Sequence, residues 1–196
     1  MPTSKPASIE LYWLPLGADG KAGVVRRSGR AYEALAAHRQ RRPRQDLYHS
    51  ALEVCVDGER RVVEMTPVWG LPDVDRGVLV EGPVGARLLG RSRLFRYEVH
   101  SWLGGTIPDI AQAVGGVHRL SQDAGQAHQL LSLVASFPGA TWGRDELGTG
   151  DMWNSNSLTS WLLASSGHDM RHLSPPEGGR APGWVAGLVV AGRTGG

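Results

Sequence analysis

The dipeptide Asp57-Gly58 constrains this chain more than any other feature. It separates two runs rich in β-branched and apolar residues, Leu47 to Val56 and Glu59 to Thr66. Asp-Gly between such runs favours a two-residue hairpin turn, because both turn positions need positive φ. A two-residue turn sets Val56 opposite Glu59, and the period of two then sets Leu52 opposite Val63 and Ser50 opposite Met65. These positions form an apolar face. The other face carries His49, Ala51, Val62, Glu64 and Thr66. Glu64 is expected opposite Ala51 and therefore diagonal to His49, at roughly 7–8 Å between backbones, within side-chain reach.

The remaining pattern predicts a mixed α+β domain, an antiparallel β-sheet packed against helices. Strands are expected at Ile9–Pro15, Gly77–Val80, Arg93–His100 and Trp184–Val190. Helices are expected at Ser28–Gln40, Gln122–Ser136 and from about Ser155 to Ser166, where Gly167 ends the last of them. Residues 1–7 read as a loose tail, and Gly17 to Gly20 as a loop. The 27 glycines and 12 prolines predict many turns. A length of 196 residues suits a single domain, 1–196, with no internal repeat.

Composition narrows the class. Net charge is only +2, and the one basic cluster, Arg39, Arg41, Arg42 and Arg44, reads as a solvated helix end. A scaffold that binds nucleic acid through those arginines is the weakest of three functional readings, since no aromatic residues interleave them for base stacking; no nucleic-acid partner is expected. The single cysteine, Cys55, excludes an internal disulfide and reads as a small core residue. His118, His128, His168 and His172 share no ligand spacing, so no metal and no cofactor is expected. The first residues lack the apolar segment of a signal peptide and no apolar run reaches spanning length, which gives no membrane span and a cytoplasmic expectation.

The chemistry concentrates at Asn154-Ser155-Asn156-Ser157. Asn and Ser are preferred helix caps, and Leu158, Trp161 and Leu162 supply a core stripe behind them. A side chain in the first turn feels the positive end of the helix dipole, and free N–H groups there can hold an oxyanion. Ser157 lies about 200° around the helix from Ser155, so only one of the two can face a base on the sheet. Trp142 and Arg144 precede this helix as candidate cleft residues, with Arg144 a possible anion ligand. Trp184 is a candidate cover, and His100 and Trp102 candidate lining at a strand end.

Read together, YHSALEV, DGERRVVEMTP and NSNSLTSWL resemble the histidine hairpin and nucleophile helix of circularly permuted papain-like proteins, the lecithin:retinol acyltransferase-like family and bacterial relatives of NlpC-type peptidases. That resemblance implies a permuted papain-like fold, with Ser155 at a nucleophile position normally held by cysteine, His49 as base and Glu64 as the residue that orients the base. Asn154, Ser157, Trp142, Arg144 and Trp184 would line the substrate site. A hydroxyl, unlike a thiol, needs a general base during attack, and a Ser155-His49-Glu64 triad would supply one. The implied activity is a serine-dependent hydrolase or acyl/peptidyl transferase on an amide or ester, with a small molecule or peptide as substrate. The alternative is a catalytically inactive papain-like domain that binds a peptide or small acyl ligand.

Overall fold

Asp57 and Gly58 both adopt positive φ, 54° and 80°, and close the hairpin between β2 (Asp46–Val56) and β3 (Glu59–Pro67). Pairing runs in the expected register from Val56 opposite Glu59 to Leu52 opposite Val63. The computed structural model describes residues 6–16, 33–39, 41–68, 77–107 and 109–194. Residues 1–5 of the expected tail, the Gly17–Gly20 loop, and positions 28–32 and 40 of the expected first helix lie outside these. Residues 33–39 are helical and are labelled α1.

The sheet adds β1 (Ser8–Pro15), β4 (Val78–Pro83), β5 (Arg96–Leu103) and β6 (Val117–Ser121) in the order β4-β5-β3-β2-β1-β6. Every neighbour in that order is antiparallel. The two-residue strand β7 (Gly179–Arg180) pairs in parallel with Asp46 and Leu47 of β2. Three further helices follow, α2 (Ala124–Leu133), α3 (Ser155–Ser165) and α4 (Trp184–Thr194).

Alternation decides which side chains meet the helices. Ile9, Leu11 and Trp13, then Leu52, Val54 and Val56, then Val63, Met65, Tyr97 and Val99 form one buried surface with Leu130, Leu158, Trp161 and Leu162. On the opposite face Tyr12, Leu14, Ala51, Val62 and Ile107 make a second, smaller cluster.

Three expectations shift. Trp184–Val190 is the start of helix α4, not a strand: a short, uninterrupted apolar run carries no period to separate the two, and Pro182-Gly183 starts a helix here. Residues 93–95, expected to open a strand, form a 3₁₀ turn, so β5 begins at Arg96 and His100 and Trp102 lie within it. Finally, β2 and β3 separate after the Leu52–Val63 pair, so the expected Ser50–Met65 and Ala51–Glu64 pairs are not part of the ladder among the described residues. On its other side β3 stays paired with β5 throughout, from Arg61 opposite Leu103 to Pro67 opposite Tyr97.

Candidate active site at the opening of the sheet

Where β2 has left the β3 ladder, its backbone is bound by the side chain of Asn156. Its Oδ1 accepts from the Ser50 N–H (2.8 Å) and the Ser50 hydroxyl (2.9 Å). Its Nδ2 donates to the carbonyls of Tyr48 (3.1 Å) and Pro182 (2.8 Å). All four hydrogen-bonding positions of the amide are thereby used. Asn156 thus binds Ser50, the residue that register alone sets opposite Met65, a contact invisible to hairpin register.

The flanking residues of α3 are equally committed. Asn154 is the N-cap, with extended backbone (φ −165°) and a side chain that accepts from Asn156 N–H at 2.9 Å. Its Nδ2 donates to Pro182 O at 2.8 Å. Ser157 closes the capping box by accepting the Asn154 N–H (3.0 Å), and its own hydroxyl donates to Gly183 O (2.8 Å). Gly183 has φ +90°, and a Cβ there would lie 2.2 Å from Asn154 Oδ1, so glycine is required on both counts. Ser157 is fully buried and removed as a rival nucleophile.

Ser155 is different. It is the first helical residue, half-buried, and among the described residues no hydrogen bond engages its hydroxyl; only its carbonyl is used, by Thr159 Oγ1 at 3.3 Å. The N–H groups of Asn156 and Ser157 are bonded to Asn154, so of the first-turn donors expected to stabilise an oxyanion it is the Ser155 N–H that is left uncommitted among the described hydrogen bonds.

His49 sits on β2 opposite Leu14, half-buried, with its neighbours' Tyr48 O and Ser50 N–H both held by Asn156. Bond lengths along that bridge limit the separation of the Ser155 and His49 α carbons to about 12 Å. By alternation His49 shares its face with Ala51 and Leu14, whereas the body of α3 packs on the Leu52 face. His49 and the body of α3 therefore lie on opposite faces of the sheet, and the start of the helix is tied to the His49 segment through the Asn156 side chain.

Glu64 shares the His49 face, but its closest partner is His100. The two are directly opposite on β3 and β5, with Glu64 Oε2 3.8 Å from His100 Nε2. His100 is 1% exposed and its Nδ1 has no hydrogen-bond partner. Sequence pattern put His100 at a strand end; in the sheet it is a buried neighbour of the acid.

The remaining candidates hold structure. Trp142 bridges Val84 and Trp153 and lies against the Tyr97 ring at 5.8 Å. Arg144 Nε donates to Gly85 O at 2.7 Å. Trp184 is buried against Trp13, ring centroids 4.8 Å apart. A cleft of about 400 Å³ lies beside these elements, lined by Gly143, Asp145, Asp151, Met152, Arg180 and Val185. Asp151 accepts the Gly183 N–H (2.7 Å) at the start of α4; burial pushes its carboxyl above the usual range, against the opposing pull of its N–H donors and Arg180. Asp145 is held below the usual range, chiefly by the Thr149 N–H. Cys55 is half-buried on β2. Among the described residues no group of three or more His, Cys, Asp or Glu side chains is placed to hold a metal ion, and no helix is long and apolar enough to cross a membrane.

Fold and site together define a mixed α+β protein, an antiparallel sheet packed with helices, in which the start of α3 is bound to the β2 backbone through Asn156. No family model, no curated protein and no solved structure matches the chain.

Proposed function

We propose that the chain is a serine-dependent acyl-transfer enzyme, a hydrolase or acyl/peptidyl transferase acting on an amide or ester, in a circularly permuted papain-like arrangement. The observation that carries this reading is selective: in Asn154–Ser157, three side chains are fully used by structure and Ser155 alone keeps its hydroxyl. Asn156 at the same time binds the backbone on both sides of His49.

In this reading His49 removes the Ser155 hydroxyl proton as Oγ bonds the substrate carbonyl carbon. The negative oxygen forms near the Ser155 N–H, at the positive end of α3. Collapse breaks the bond to the leaving group, which takes the proton from His49. Water or a second nucleophile then releases the acyl group by the reverse sequence. Glu64 orients the imidazole and stabilises its charged form. His100 lies on the other side of Glu64 and competes for the same carboxylate.

A second reading is favoured by that competition: the domain binds a peptide or small acyl ligand at the opening without turning it over. A fluorophosphonate probe and a short-chain p-nitrophenyl ester separate the two. Labelling at Ser155, lost in Ser155→Ala and depressed in His49→Gln, supports catalysis. Ester turnover unchanged in Ser155→Ala would remove the serine mechanism.

A further inference from the structure

We propose that the segment 87–95 is a docking surface for an anionic phospholipid membrane, independent of the reaction at Ser155. The segment, RLLGRSRLF, joins β4, an edge strand, to β5 through two 3₁₀ turns, Arg87–Arg91 and Arg93–Phe95. Its apolar side chains point outward: Leu88 is 77% exposed, Leu94 65%, and Leu89 and Phe95 are also exposed. Four large apolar groups on so short a stretch are costly to leave in water unless something covers them.

Charge specifies the cover. Arg87, Arg91, Arg93 and Arg96 alternate with these apolar residues. Arg87 and Arg96 have acidic neighbours, Glu146 at 3.4 Å and Glu81 at 3.3 Å. Arg91 and Arg93 are exposed, and among the described residues neither joins an ion pair. A niche of about 390 Å³ lies beside the leucines, lined by Glu81, Pro83, Arg87, Arg91 and Arg96. Guanidinium groups around a niche match phosphate geometry, and apolar side chains next to it match acyl chains. Three arginines against one acid, Glu81, leave the niche net positive, which suits the phosphates of an anionic bilayer surface. Nucleic acid would use the arginines and leave Leu88 and Leu94 in water.

The loop is built to keep this shape. Arg96 Nε donates to Gly90 O at 2.7 Å, and a Cβ at Gly90 would lie 2.7 Å from Pro83 Cβ, so the turn is tight against β4. Its leucines are therefore presented by a held loop, which lowers the ordering cost of docking.

The test is flotation of the full chain with lipid vesicles at low salt. The expected result is co-flotation with vesicles of phosphatidylcholine carrying about 30% phosphatidylserine and none with phosphatidylcholine alone. Replacing Leu88 and Leu94 together by Ser, which leaves the charge unchanged, should abolish flotation. Arg91→Gln with Arg93→Gln should weaken it at least tenfold, at about one kcal/mol per arginine. All four positions are exposed, and unchanged thermal unfolding confirms that the variants fold. Absence of flotation with the anionic vesicles overturns the proposal. So does flotation that survives the leucine replacements, since the contact would then be charge alone. Self-association lost in the leucine variant, or RNA retention lost in the arginine variant, each without vesicle binding, would assign the surface to a second copy or to nucleic acid and equally overturn it.

Discussion

Within four consecutive residues the chain separates scaffolding from chemistry. Asn156 saturates its amide on Ser50, Tyr48 and Pro182, and Ser157 spends its hydroxyl on Gly183. Asn156→Ala leaves the Ser50 N–H and the Tyr48 carbonyl short of a partner, while Pro182 O keeps Asn154 Nδ2, so it should lower unfolding free energy by about 2–3 kcal/mol in urea titration. Ser157→Ala loses a capping box and should cost about 1–2 kcal/mol. Ser155→Ala should stay within about 0.5 kcal/mol of the parent, because nothing structural depends on its hydroxyl. Equal losses at 155 and 157 would show that Ser155 is another cap. The caps were legible in the sequence, since Asn and Ser before an apolar stripe mark a helix start. The clamp by Asn156 was not: its partners lie 106 and 108 positions away, and local pattern holds no information on so distant a contact.

Helices α3 and α4 cross at one glycine. A Cβ on Gly187 would lie 2.3 Å from Ser157 O and 2.1 Å from Ser160 Oγ, and Ser160 itself donates to Trp184 O at 2.8 Å. Inside a helix, Gly→Ala ordinarily stabilises by up to about 1 kcal/mol. Gly192, exposed on the same helix with nothing within 4 Å of its Cβ position, should follow that rule. Gly187→Ala should reverse it, destabilising by about 1–3 kcal/mol as the backbones are forced apart. Thermal unfolding of the two variants checks the opposite signs; two gains would mean the helices do not cross here. At this scale the hairpin was legible, because Asp57-Gly58 dictates its turn and alternation its faces. WVAGLVVAG was not. It is apolar with β-branched residues, and only packing against Ser157 and Ser160 selects helix. The parting of β2 from β3 was equally hidden, since register carries no signal for where a ladder stops.

Across the molecule, Glu33 ties together parts that the sheet alone does not join. It is buried, and its carboxylate receives both terminal nitrogens of Arg42, the Gln45 N–H at 2.9 Å and Arg180 at 3.4 Å. One side chain thus links α1, the approach to β2, and β7, the strand beside Asn156. This also disposes of Arg42 as part of a free basic patch, which charge counting along the chain had no means of showing. Hydrogen bonding to Arg42 holds the Glu33 carboxyl below its ordinary 4.5. An acid with a lowered pKa in the native state adds stability that is complete above its ordinary value and is lost as pH falls through the native one. Glu33→Gln removes that charge and should cost about 3 kcal/mol near pH 7, where it leaves two arginines facing a neutral amide. The gap between parent and variant should narrow as pH drops from about 5 through 4 and below, because the parent carboxyl protonates too. Asp145 and Glu146, also lowered, slope the same way in both proteins, and Asp151, which is raised, slopes the opposite way in both; none of them alters the difference. Denaturant titrations of both proteins across this range measure it. A gap independent of pH would mean that Glu33 acts by shape alone and that its charge does not hold α1 to β7.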